Sequence, residues 1–311
     1  MRARIRDFLE SRDGWIFSVV DYIHTDGVRS LLRYIPDESG DRIARGTRYR
    51  KLDFEEAFDF LRMQHPDYVR DVHVVPFDDV KRFFRPADEL PRVRAEDERV
   101  RRIVDILEDH GVPERCIGIT GSMLLGLHSR SSDIDLVVYG NAWWRARDAI
   151  ADAKRSGSIQ ELDSATWMKI YMKRKPSIPF DEFVAHEMRK GNRGMIDGTY
   201  FDLLFTREWD EIVPVPEGRP VCRSRIVAEV VDARYSFDSP GIFRLDHEIG
   251  EILCYSHTYA GQAFEGEMIE ASGVIEETSN GLRMVVGTTR EAKGEWIRSL
   301  TLMSSLSRGC G

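Results

Sequence analysis

The chain has 311 residues, with 45 Lys and Arg against 53 Asp and Glu, a formal charge of −8, and 42% apolar residues. That length and composition suit a globular protein of two or three domains with real cores. The acidic balance excludes a protein that coats nucleic acid by bulk charge, while leaving room for a local basic groove.

Residues 1–92 read as a small α/β module. GWIFSVVDYIH and VRSLLRYIP form two strands around the turn His24-Thr25-Asp26-Gly27, a hairpin signal. The basic stretch GDRIARGTRYRK follows and reads as a loop. Asp53 caps a helix, DFEEAFDFLRMQ, whose Phe54, Ala57, Phe58 and Leu61 share one face. VHVVP is a short strand, and FFRPADELPRVRAED, with two prolines and many charges, reads as a linker.

Residues 93–215 alternate helix and strand, the pattern of an α/β layer. ERVRRIVDILEDHG is an amphipathic helix ended by Gly111. CIGIT is a strand, SMLLGLH a brief helix, DIDLVVYG a strand, and NAWWRARDAIADAKRSG and TWMKIYMKRK helices. GTYFDLLFT is a further strand. Residues 216–311 hold several short strands with turn signals, Asn280-Gly281 the clearest, and predict a small β-barrel or sandwich. The fold class is therefore α/β (α+β) and multidomain.

No apolar run reaches the ~18–20 residues of a membrane span, and MRARIRDFLESRD lacks the apolar stretch of a signal peptide. Cys116, Cys222, Cys254 and Cys310 contain no C-x-x-C pair, so reduced thiols in a soluble cytoplasmic protein are expected.

The chemistry concentrates in GITGSMLLGLHSRSSDIDLVV, residues 118–138. Successive strand side chains alternate faces, so Asp133 and Asp135 share one. Two adjacent carboxylates inside an apolar strand repel each other, and a cation relieves the cost. Oxygen ligands alone suit Mg²⁺ or Mn²⁺ rather than zinc. Gly121 lets a phosphate approach the backbone closely and Ser122 adds a hydroxyl donor, so this turn is predicted to hold a triphosphate. Asp202, again an acid in an apolar strand (YFDLLF), is the candidate third carboxylate. It would hold a second metal and serve as general base for an acceptor hydroxyl.

These residues resemble the polymerase-β-like nucleotidyltransferase superfamily. Gly121-Ser122, Gly126, then Ser132-Asp133-Ile134-Asp135-Leu136, with Asp202 later, match its signature in order and spacing. The resemblance implies a central nucleotidyltransferase-fold mixed sheet, Mg²⁺ (or Mn²⁺), and an NTP such as ATP as substrate. It implies transfer of NMP to a hydroxyl or phosphate, with release of pyrophosphate. Ser132 joins Gly121 and Ser122 as a nucleotide-binding candidate. The whole chain also resembles an archaeal-type group of predicted nucleotidyltransferases. One departure stands out. Small antitoxin-type members carry arginines just after Gly-Ser, where this chain has Met123, Leu124 and Leu125. The other class of function open to this sequence is a non-catalytic nucleotide-sensing or RNA-binding module.

Other candidates lie outside that motif. Lys190 and Arg193, in a basic run with Lys169, Lys173, Arg174, Lys175 and Arg189, are expected to reach the β- and γ-phosphates. Arg48 and Arg50 offer contacts to the phosphates of an RNA or DNA acceptor, with Tyr49 stacking on a base. His257, Tyr259, Gln262, Arg290 and Glu291 are candidates for an acceptor pocket. His247, Cys254 and His257 match no familiar zinc spacing. Trp143, Trp144 and Trp167 read as packing residues. The acceptor is left open among an RNA 3′ end, a protein side chain, a small metabolite and another nucleotide, as are base preference and oligomeric state.

Overall fold

The computed structural model describes residues 2–129 and 132–308. The first sheet comprises β1 (Phe8–Ser11), β2 (Ile16–Val19), β3 (Val28–Pro36), β4 (Arg42–Ala44), β5 (Thr47–Lys51), β6 (His73–Val75) and β7 (Val80–Phe84). Helix α1 (Phe54–Gln64) lies between β5 and β6 in the chain, and Asp53 and Glu56 cap it reciprocally. Strand order is β4-β5-β3-β2-β1-β7, with β6 also on β3. The expected β2–β3 pairing is present. Its ladder carries a bulge: Phe17 faces Leu32 and Ile16 faces Tyr34, which leaves Arg33 as the extra residue.

The basic stretch 40–51 is a hairpin and not a loop. Arg45 and Gly46 at its tip hold φ of 51° and 80°, the two-residue turn that matches strand twist. Strand alternation sends Tyr49 inward, where it is 8% exposed. Arg48 reaches the Gly40 carbonyl and Arg50 the Asp37 carboxylate. Tyr49 is thus a core residue and offers no stacking face to a base.

The expected linker is also ordered: β7 runs into helix α2 (Pro86–Glu96), followed by α3 (Glu98–Asp109). Pro86 stands in the first turn, where its missing N–H has no intrahelical partner to lose. Leu90 and Val93 are buried. Gly118 lets α2 approach, since a Cβ there would sit 2.6 Å from Pro86.

Next come β8 (Ile117–Ile119), α4 (Gly121–Leu125), β9 (Ile134–Tyr139) and α5 (Ala142–Arg155). Helices α6 (Ser164–Arg174) and α7 (Phe180–Lys190) precede β10 (Arg193–Ile196) and β11 (Thr199–Thr206). The second sheet has the order β10-β11-β9-β8, with β8 antiparallel and β11 parallel to β9.

Two features join the first two sheets. Leu124, Leu125 and Leu127 pack in one cluster with Phe8, Ile16, Tyr34, Tyr49 and Phe84. An N-terminal strap is the other. The Arg4 guanidinium lies 4.0 Å from the Tyr139 ring centroid and 4.5 Å from that of Trp209, and it donates to the Arg207 carbonyl at 3.3 Å. Thr120 Oγ1 donates to the Arg6 carbonyl at 2.8 Å.

Chain contacts define two compact units, Met1–Gln160 with Gly194–Pro214, and Glu161–Arg193 with Val215–Gly311. Segments 1–92 and 93–160 therefore fall in one unit. The second unit contains β12 (Gly218–Asp232), β13 (Gly241–Asp246), β14 (Ile249–Cys254), β15 (Met268–Thr278), β16 (Gly281–Val286), β17 (Trp296–Ser299) and α8 (Leu300–Arg308). Its strand order is β12-β13-β14-β16-β15-β17, and β12 also pairs with β15. In the β15–β16 hairpin Thr278 faces Gly281, so Ser279 and Asn280 make the turn. The whole is a mixed α/β chain with three sheets and eight helices among the described residues, none of those helices long and apolar enough to cross a membrane.

Arg4→Ala removes a buried cation from two aromatic faces and is expected to lower unfolding stability by about 2 kcal/mol. Urea unfolding measures it. Arg4→Lys is expected to restore little, because an ammonium cannot stack as a planar guanidinium does.

Candidate active site

Strands β9 and β11 are in register with Asp135 opposite Asp202 and Ile134 opposite Phe201. Aligned residues on neighbouring strands point to one face, so the two carboxylates stand side by side. Asp202 is buried at 4% exposure, and Asp135 is partly buried. Tyr200 donates its hydroxyl to Asp202 Oδ2 at 3.4 Å. Asp133 immediately precedes β9 and is exposed.

Strand β8 delivers the Gly-Ser turn to the same place. Gly121 has φ +66°, and a Cβ there would lie 2.6 Å from Asp135 Oδ2. Glycine is therefore required both for backbone conformation and for space. Gly121, Ser122, Ser132, Asp133 and Asp135 line a cavity of about 280 Å³. The motif residues that lie apart in sequence thus meet in one cavity, with Asp202 alongside Asp135 on the adjacent strand.

Burial, then the charges of Asp202 and Asp133, push the Asp135 carboxyl up to about 6, and Arg6 and Lys51 act in the opposite sense. Arg6 holds φ 79°, a conformation unusual for a residue with a Cβ. Nothing in MRARIRD marks it as a partner of a carboxylate so distant in the chain.

The donor set fits Mg²⁺ or Mn²⁺. Among the described residues no group of three His, Cys, Asp or Glu forms a complete metal cage. Mg²⁺ needs none, since it usually takes one or two carboxylates and completes its shell with water and substrate phosphate. The repulsion that raises Asp135 is of the kind a dication relieves.

Lys190 and Arg193 are placed differently. Both are buried, and both pair with the buried Glu187 in the second unit. Lys190 Nζ lies 2.5 Å from Glu187 Oε1 and 2.6 Å from the Thr258 carbonyl. Arg174 reaches the same carboxylate at 3.3 Å, and Arg193 lies 3.2 Å from His257 Nε2. These contacts engage Lys190 and Arg193 with partners inside the second unit. Tyr259 and Gln262, candidates for an acceptor pocket, are interior: the Tyr259 hydroxyl accepts from Ser177 N and donates to the Ala292 carbonyl. Arg33, Tyr34, Arg42 and Lys51 line the cavity of Asp135 instead. Arg42 and Lys51 belong to the basic stretch 40–51 that stands out in the sequence, whereas Arg33 and Tyr34 lie outside it.

The nucleotidyltransferase domain family model matches residues 100–186, a span that holds Gly121, Ser122, Asp133 and Asp135 and stops short of Asp202. The chain belongs to this family, within the polymerase-β-like superfamily. Its likeness to one relative runs the full length: it is 36% identical over 337 aligned positions to Uncharacterized protein MJ1086 of Methanocaldococcus jannaschii, covering 96% of this chain and 99% of that protein. No solved structure matches the chain.

Gly121→Ala is expected to cost about 1–2 kcal/mol of stability through its left-handed backbone alone, and to displace the Asp135 carboxylate. Thermal unfolding and a crystal structure of the variant test both. Because the folded state raises the Asp135 pKa, the ionised group opposes folding above about pH 6, and that opposition fades as pH falls toward 4. Asp135→Asn is therefore expected to be more stable than the wild type at pH 7.5 by about 2 kcal/mol, with the difference shrinking at pH 4.5. Glu187→Ala strands two buried cations and is expected to cost about 3–5 kcal/mol, read by urea unfolding.

Proposed function

We propose that the protein transfers NMP from a nucleoside triphosphate to a hydroxyl or phosphate acceptor and releases pyrophosphate. Asp202 in register with Asp135, beside a turn that only glycine fits, is the observation that carries this reading. In it the backbone and hydroxyl of Gly121-Ser122 hold phosphate oxygens, with Ser132 nearby. Asp133 and Asp135 hold a divalent cation, Mg²⁺ or Mn²⁺, and Asp202 contributes to a second position. Bound cations would supply charge neutralisation on the phosphates. Asp202 orients the acceptor hydroxyl and takes its proton. The acceptor oxygen bonds to the α-phosphorus, the α–β bridging bond breaks, and pyrophosphate leaves. Catalysis is mainly positioning and electrostatics. The closed pairing path of the last sheet supports reading it as a small barrel, which we assign to acceptor choice.

The test is incubation of the full chain with Mg²⁺ or Mn²⁺ and each α-labelled NTP, in fractions of RNA, protein and metabolites. Label is expected to move to one fraction, and Asp135→Asn and Asp202→Asn are each expected to lower transfer by at least about 10²–10³-fold. Intact nucleotide binding with no transfer to any fraction overturns the proposal.

A further inference from the structure

We infer that the first sheet, outside the matched family domain, forms a cationic wall that grips the triphosphate through Arg33, Arg42 and Lys51. The inference rests on reading the Asp135 cavity as a nucleotidyltransferase centre.

These three cations line the cavity that also holds Gly121, Ser122 and Asp135. Strand register explains how they arrive there. Tyr34 faces Lys51 across β3–β5, and Arg42 faces Tyr49 across β4–β5. Residues 49 and 51 lie two apart, so all four share one face of the sheet. The inner part of that face, Tyr34 and Tyr49, packs on Leu124, Leu125 and Leu127 just after the Gly-Ser turn. Its rim, Arg42 and Lys51, reaches the cavity. Regular alternation would turn Arg33 away from Tyr34. The bulge at Arg33 breaks that alternation, and both residues line the cavity.

The chemistry is that of a polyphosphate site. Arg42 is already positioned: its Nη1 donates to the Leu127 carbonyl at 3.2 Å and to Ser132 Oγ at 3.4 Å. Asp41 lies 3.3 Å from its Nε. Guanidinium groups match phosphate oxygens in pairs, and an ammonium adds a compact point charge. The turn after Gly-Ser offers no cation, because Met123, Leu124 and Leu125 are buried. At about 280 Å³ the cavity sits near the lower end for ligand sites of ~300–1,000 Å³, a size for the phosphate chain rather than a whole nucleotide.

The test is calorimetry on the full chain with Mg²⁺, using inorganic tripolyphosphate, ATP and adenosine as probes. Lys51→Met and Arg42→Gln are each expected to weaken tripolyphosphate and ATP binding about tenfold, and Lys51→Arg to restore most of it. Lys51 is exposed, so each variant is expected to stay folded, which its thermal midpoint, measured alongside, checks. Adenosine is expected to bind no better to any variant. Failure of the wild type to bind tripolyphosphate, or tripolyphosphate affinity unchanged within about twofold in both variants, overturns the inference. Label transfer that still depends on Asp135 and Asp202 in that event leaves the proposed function standing. Cation-dependent tripolyphosphate binding without transfer supports the wall and overturns the activity.

Discussion

Asp135 and Asp202 repel each other, and the fold must hold them side by side regardless. Register between two parallel strands does so: Ile134 to Tyr139 pairs residue by residue with Phe201 to Thr206. The apolar residues around the acids supply the burial that keeps this ladder in place, and that same burial makes the charge costly. Gly121 completes the constraint, since the Asp135 carboxylate occupies the space a side chain would need. An arrangement that by itself costs stability is what a charge-neutralising ligand can exploit.

The departure from the antitoxin-type motif acquires a physical meaning here. Where those members carry arginines after Gly-Ser, this chain buries Leu124 and Leu125 against Phe8, Tyr34 and Tyr49. The apolar turn is the seat for an added sheet, and that sheet brings basic residues of its own. Positive charge at the cavity is thus a property of packing between two layers rather than of one loop.

Much of the centre was legible because its signals were anomalies. A carboxylate within an apolar strand, as at Asp135 or Asp202, conflicts with its surroundings, and Gly-Ser at a fixed distance made the conflict interpretable. Basic residues gave no such conflict. Lys190 at a helix end reads equally as a solvated charge, a ligand contact or half of an ion pair, though Glu187 three residues earlier was a cue to the last. In Thr47–Lys51 the alternation already set Tyr49 on the opposite face from Arg48 and Arg50, a strand signal obscured by its charge density. The prolines of 83–97 suggested a linker, yet Pro86 stands where a helix begins. The bulge at Arg33 and the strap through Arg4 and Arg6 depend on tertiary partners and have no local signature.

That strap also bears on the order in which the chain can mature. Arg4 meets the carbonyl of Arg207 and the rings of Tyr139 and Trp209, and β9 gains its parallel neighbour only when β11 exists. During synthesis the Arg4 side chain must therefore wait for these partners until about two hundred more residues have left the ribosome. At the usual pace of ~5–20 residues per second, that is a delay on the order of ten seconds or more. For the later part of that interval, between the emergence of β9 and that of β11, the unpaired edge of β9 is open to other strands. The centre of the protein is thus assembled late, and its exposure to misassociation is set by the rate of translation rather than by the strength of the finished contacts.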